Sequence, residues 1–111
     1  MNKLNFGLIA EYLVIFIYKI KFYQILHHRM RNFCGEIDLV ALRGRQLVFI
    51  EVKARSSYLD DRILSTKQQN RIRKSSELFL SHNQKYKTYE VRFDLVVIRP
   101  YRLPTIIENA W

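Results

Sequence analysis

The sequence predicts an α/β domain: a mixed β-sheet flanked by helices, with its elements in the order α-β-β-β-α-β. Three observations predict it. Two β-like runs, residues 35–42 and 47–54, are separated by Gly44-Arg45, a pair suited to a two-residue turn. An amphipathic run at 62–82 follows them and precedes a β-branched run at 89–99. A helix of that length serves as a crossover, so the last strand is expected to lie parallel to the one before the helix. Only three glycines and two prolines occur in 111 residues, so no linker is visible and residues 1–111 read as a single domain.

Taken in order, residues 4–21 read as a helix, apolar nearly all round and therefore expected to be well buried. Glu11, Lys19 and Lys21 interrupt the apolar run and leave only residues 12–18 uncharged between Glu11 and Lys19. That is far short of the roughly 20 apolar residues of a spanning helix. No small-residue cleavage site follows, so a secretory signal is not expected. Residues 23–30 read as the first strand. On the helix at 62–82, Leu64, Ile72, Ser75, Leu78 and Phe79 share one face. The run at 89–99 is a strand stopped by Pro100. The tail, 106–111, reads equally as strand or helical turn.

Hydrophobic residues make up 49% of the chain and aromatics 14%, which excludes a disordered protein. Nineteen Lys and Arg against ten Asp and Glu leave a net charge of +9. Such an excess on a small domain asks for a polyanionic partner, nucleic acid before an acidic membrane surface. Cys34 is the only cysteine, so no internal disulfide forms and the cytoplasm is the expected location. No P-loop, Rossmann glycine pattern or Gly-x-Ser-x-Gly elbow occurs, which argues against nucleotide-driven motors, dehydrogenases and esterases.

The hairpin carries the chemistry. A type II′ turn at Gly44-Arg45 sets Arg43 against Gln46, Asp38 against Glu51 and Glu36 against Lys53. With period-two alternation, Ile37, Leu39 and Ala41 are expected on one face with Val48, Ile50 and Val52. Glu36, Asp38, Glu51 and Lys53 then share the other. Opposed carboxylates repel each other, and a divalent cation gives the pair a purpose. Magnesium takes one or two carboxylates plus waters, and the Val52 carbonyl adds another oxygen. Lys53, one pleat away, is placed to orient or deprotonate a water, or to stabilise charge on a reacting phosphate. An ordinary solvated face with ion pairs is the alternative, and the pattern alone leaves both open.

These residues also carry a resemblance. Glu51-Val52-Lys53 after Leu47-Val48-Phe49-Ile50, with Asp38 upstream in Gly35-Glu36-Ile37-Asp38, resembles the PD-(D/E)xK nuclease core. Over nearly its whole length the chain resembles the YraN-type family of uncharacterised bacterial proteins (UPF 0102). The matching pieces are Ile25-Leu26, Arg31, Gly35-Glu36-Ile37-Asp38-Leu39-Val40-Ala41, Val48-Phe49-Ile50-Glu51-Val52-Lys53-Ala54-Arg55, Arg92-Phe93-Asp94 and Asn109-Ala110-Trp111. The resemblance implies a restriction-endonuclease-like αβββαβ core similar to the Holliday-junction resolvases. In that branch a glutamate of the N-terminal helix joins the site, and Glu11 matches its position. Three positions depart from the family pattern. A small residue one turn after the helix glutamate is Val14, a glycine before the first strand is Phe22, and an asparagine two before Arg31 is Arg29.

Read without the family, Glu11 lies on a helical arc with Leu8, Val14, Ile15 and Tyr18, and a buried carboxylate must be paired, protonated or metal-linked. A salt bridge to the sheet is the ordinary reading; a role at the site is the expectation adopted. Residues 43–74 hold nine Lys and Arg against three acids, and Lys67, Arg71 and Lys74 cluster along one edge of the second helix. Helical edges often carry lysines over a core, but with this charge phosphate contact is the expectation. Gln68 is expected as a core amide. His27 and His28 point to opposite faces of a strand and read as basic surface. Cys34 has no zinc-spaced partner, and Asp94 reads as structural, paired with an arginine.

The expectation is a metal-dependent endonuclease-like protein acting on DNA, branched or otherwise structured. Glu11, Asp38, Glu51 and Lys53 form its catalytic set. One or two Mg²⁺ or Mn²⁺ ions sit on Asp38, Glu51 and the Val52 carbonyl. Arg55, Lys67, Arg71 and Lys74 contact nucleic acid. DNA is expected ahead of RNA, with no membrane partner. A resolvase-type reaction needs two sites and hence a homodimer. The alternative is a nucleic-acid-binding module with the nuclease fold and no turnover; an interaction domain for an acidic protein is the third reading.

Overall fold

The computed structural model describes residues 3–55 and 64–111. In chain order the elements are helix α1 (Lys3–Ile20), strands β1 (Gln24–Asn32), β2 (Gly35–Arg43) and β3 (Gln46–Ala54), helix α2 (Thr66–Ser81), a 3₁₀ turn (Gln84–Tyr86), and strands β4 (Glu90–Ile98) and β5 (Thr105–Ile107). The five strands lie side by side in sequence order. All neighbours are antiparallel except β3 and β4, which run parallel from Gln46↔Glu90 to Ala54↔Ile98 with α2 as the crossover. This is the expected α/β order, and the tail resolves as a fifth strand. Gly44 has φ +61, as the first position of the turn requires, and the predicted register follows from Arg43↔Gln46 to Leu39↔Ile50.

Two apolar layers sandwich the sheet. Ala10, Val14 and Tyr18 of α1 pack on Leu39, Ala41, Val48, Ile50, Val96 and Ile98. On the opposite face Ile72 and Phe79 of α2, with Leu64 and Tyr86, pack on Val40, Leu47, Phe49, Phe93 and Leu95. Of the predicted helix at 62–82, positions 62 and 63 lie outside the described residues. Leu64 and Ser65 precede α2, and Ser65 caps it: its hydroxyl accepts from the Gln68 N–H while Gln68 Oε1 accepts from the Ser65 N–H. Gln68 is therefore half of a capping box and not a core amide.

The all-round burial expected of α1 is corrected. Its apolar composition covers two unlike faces: Ala10 and Val14 are fully buried, whereas Tyr12, Phe16 and Ile20 are about 60% exposed. The helix ends in a Schellman arrangement, with Tyr23 N–H donating to the Tyr18 carbonyl (2.9 Å) and Phe22 N–H to that of Lys19 (3.0 Å). Phe22 occupies the left-handed position of that motif at φ +71. No helix among the described residues is long and apolar enough to cross a membrane.

The strict alternation expected along β2 also fails. Leu39 belongs to the α1 layer and Ile37 to the α2 layer, although two residues apart they would share a face in a regular strand. The break falls at Asp38. Opposite it in β1, Arg29 sits at φ +58 between the pairs His28↔Leu39 and Met30↔Ile37. The two strands turn over in step, and at that point β2 leaves β3.

Candidate functional site

The β2–β3 ladder ends at Leu39↔Ile50, and the Asp38 side chain takes the place of the next rung: its Oδ2 accepts from the Val52 N–H at 2.8 Å. Glu51 approaches the same carboxyl and hydrogen-bonds with it. Lys53 Nζ lies 3.3 Å from Glu51 Oε2, with both side chains largely buried. An extended residue points its N–H and C=O to the same side of the strand, so the Val52 carbonyl faces the gap that β2 has left. Asp38, Glu51, Val52 and Lys53 thus meet at one place. The cause is the parting of two strands; a continued ladder was expected. Glu36, expected opposite Lys53, instead pairs with Arg31 of β1 at 2.7 Å.

Burial pushes the Glu51 carboxyl up to about 8, and the Asp38 charge and the bond between the two carboxyls add to the rise, against the pull of Lys53. Burial raises Asp38 as well; its bonds to Glu51 and the Val52 N–H oppose the rise, and the charge of Glu11 adds to it. Without a cation the pair therefore keeps a proton near neutrality. Asp38 and Glu51 are the side chains that could hold a divalent cation in place of that proton, both carboxylates then being acceptors for one centre. Among the described residues no three His, Cys, Asp or Glu side chains converge at ligand spacing. The oxygen set is two carboxylates and a carbonyl, in keeping with the way magnesium is usually held.

Glu11 enters from α1 and is gripped by the sheet. Its Oε1 accepts from His28 Nε2 at 2.7 Å and from Arg29 Nε at 3.0 Å. Neighbours on a regular strand cannot both reach one helix, and the left-handed turn at Arg29 is what permits it. His27 points the other way, against Phe79, as its position predicted. A salt bridge from the sheet was the ordinary reading of Glu11, and Arg29 of β1 makes it; the share of His28 was not foreseen, since His28 read as basic surface. The available signal was Arg29 standing where the family pattern has asparagine, a residue that tolerates positive φ.

A second polar cluster lies across the sheet and has an architectural role. Asp94 is fully buried; Arg92 donates to it twice, both at 2.8 Å, and Tyr18 once at 2.7 Å. Arg92 also bonds Tyr23 and Gln46, and Asp94 accepts from the Asn109 N–H. The network ties α1, β3, β4 and the C-terminal segment together, as the pairing expected of Asp94 implies.

A model of the Uncharacterised protein family UPF0102 matches residues 10–98. The chain belongs to the UPF0102 family. Among its relatives, the UPF0102 protein of Ehrlichia ruminantium is 41% identical over 95% of this chain and 82% of its own length. That of Mesorhizobium japonicum is 38% identical over 92% and 82%, and that of Sinorhizobium medicae 37% identical over 100% and 92%. The span matched to UPF0102 contains Glu11, Asp38, Glu51 and Lys53, and ends at Ile98, the last residue of β4.

The basic residues expected to contact nucleic acid in this UPF0102 chain stand on α2 and at the end of β3. Lys67, Arg71 and Lys74 are exposed on α2, across the sheet from α1. The Arg71 stem passes so close to Gly35 that a Cβ there would lie 3.0 Å from Arg71 Cγ. Arg71 therefore stands over the start of β2, ahead of Asp38. Arg55 joins the ends of β3 and β4, its N–H donating to the Ile98 carbonyl at 2.9 Å. Arg62, part of the basic 43–74 span, lies outside the described residues.

Proposed function

We propose that the protein hydrolyses phosphodiester bonds in DNA at the Asp38–Glu51–Lys53 cluster, with Mg²⁺ or Mn²⁺ held by Asp38, Glu51 and the Val52 carbonyl. The observation that carries this reading is the pair of buried, hydrogen-bonded carboxylates beside a lysine, at the point where β2 leaves the ladder. A bound divalent ion supplies Lewis acidity to a phosphate oxygen. Lys53 presents its ammonium to the attacking water or to the charge that grows on the phosphate. Water adds to phosphorus, the bond to one ester oxygen breaks, and that oxygen leaves with a proton. Glu11, fixed by His28 and Arg29, adds negative potential beside Asp38 and deepens the site's preference for a cation. Arg55, Lys67, Arg71 and Lys74 take backbone phosphates.

A second reading is a nucleic-acid-binding module without turnover. It is favoured by the Lys53–Glu51 and Arg29–Glu11 ion pairs, which satisfy much of the cluster without a metal. One experiment separates the two. Single-stranded, duplex, flap and four-way DNA are incubated with Mg²⁺ or Mn²⁺, with Glu51→Gln as the control. Cleavage by wild type, lost in Glu51→Gln while DNA binding persists, is the expected outcome. Binding by both with cleavage by neither supports the module.

A further inference from the structure

Residues 99–104 join β4 to β5 beyond the span matched to the family. Tyr101 is fully exposed and Leu103 is 90% exposed. Together with Arg99, Arg102 and Thr105 they line an open concavity of about 440 Å³. Tyr101 has φ +60 and follows Pro100, the pattern of a type II turn, and Pro104 closes the loop. The turn is thus set by backbone chemistry, and Tyr101 takes part in neither apolar layer.

The position relative to the cluster is fixed by the sheet. Lys53 pairs with Val97 in the parallel ladder, and Arg55 is bonded to Ile98 where the loop departs. Tyr101 lies four positions beyond Val97, a reach of at most about 13 Å along the strand at ~3.3 Å per residue. At ~3.4 Å per stacked nucleotide that is roughly three to four nucleotides. An exposed ring in a concavity also lined by Arg99 and Arg102 suits a nucleobase with its phosphates nearby. The face of a paired base is covered by its neighbours in the stack, so the ring is matched to an unpaired base.

We propose that loop 99–104 is a single-strand binding site in which Tyr101 stacks on an unpaired base and Arg99 and Arg102 attend the adjoining phosphates. The preferred substrate is then DNA with a single-stranded stretch beside the bond to be cut. This deepens the nuclease reading and rests on it for the word substrate; the binding event does not require turnover.

The test is a titration in EDTA with DNA carrying a fluorescent adenine analogue that stacking quenches. It is presented as a single strand, a blunt duplex and a flapped duplex to wild type, Tyr101→Ala and Tyr101→Phe. Wild type is expected to quench the single strand and the flap. Tyr101→Ala should bind both roughly fivefold to a hundredfold more weakly and leave the blunt duplex unchanged. Tyr101→Phe should match wild type. Unchanged single-strand affinity in Tyr101→Ala overturns the inference, as does an equal loss on blunt duplex. The parent reading fails separately: quenching that depends on Tyr101 in a protein that never cleaves keeps the loop and removes the nuclease. Cleavage of flapped DNA that depends on Glu51 and ignores Tyr101 keeps the nuclease and removes the loop.

Discussion

At Glu51 the folded chain holds a proton that the unfolded chain gives up. Its carboxyl moves from an ordinary 4.5 to about 8, first through burial and then through the charge of Asp38. Between those values the native state binds more protons, so this contribution is complete below the unfolded value and is lost as pH climbs through the folded one. In EDTA the melting temperature is therefore expected to fall from about pH 5 to about pH 8, and Asp38→Asn should flatten the fall. On the proposed reading Mg²⁺ takes the place of that proton, and millimolar metal should then raise the wild-type melting temperature more at the alkaline end. A wild-type profile flat across this window, with or without metal, would contradict the shared-proton picture. The meeting of Asp38, Glu51 and Lys53 was legible because the turn fixes which residues approach. The parting of the strands at Asp38 was not, since alternation assumes a ladder that continues. A salt bridge from the sheet to Glu11 was weighed from the sequence, but not that His28 and Arg29 together make it, which depends on one backbone angle at Arg29.

Among the elements, α1 is terminated at some cost. Phe22 sits at φ +71 with its ring largely exposed, where a glycine would avoid the clash of Cβ with backbone. Phe22→Gly is expected to stabilise the protein by about 1 kcal/mol in urea denaturation. Gly35→Ala should do the reverse, because φ is +149 and the added methyl meets Arg71. If Phe22→Gly proves strongly destabilising, the exposed ring has a packing role that its surroundings do not show. Apolar composition announced α1 as a helix but concealed which of its faces meets the sheet. The Ser65-x-x-Gln68 signature lay in plain view, and reading Gln68 by its helical position alone missed its bond to the N-cap.

For the molecule as a whole the decisive quantity is charge. The chain carries a net +9, with Lys and Arg in excess at the β3 end, on α2 and in the loop after β4, so binding to duplex DNA should be governed by phosphates and not by base edges. With six phosphates engaged, the log–log dependence of affinity on salt should have a slope of roughly −5. Lys67→Ala with Arg71→Ala should make that slope shallower and weaken all duplex sequences alike. An affinity indifferent to salt would remove nucleic acid as the partner. At this scale the sequence was most transparent: the chain order of elements up to β4, the parallel crossover and the charge all follow from periodicity and composition. What composition could not convey is where the charge stands relative to the cluster, which depends on how the strands part and end.

Trp111 is the only tryptophan, and it stacks on Phe93 of β4 with ring centroids 5.4 Å apart. The neighbouring Ala110 N–H donates to the Phe93 carbonyl at 2.7 Å. The indole is therefore an intrinsic clock for assembly, because it gains its stacking partner only when the C-terminal segment docks on β4. β1 to β3 form a meander of local pairs, whereas β4 must wait for the crossover to close. In refolding, far-ultraviolet dichroism should grow before Trp111 emission shifts, and the interval between them measures the time during which the apolar edge of β3 stands uncovered. Simultaneous signals would mean that the parallel pair closes together with the meander.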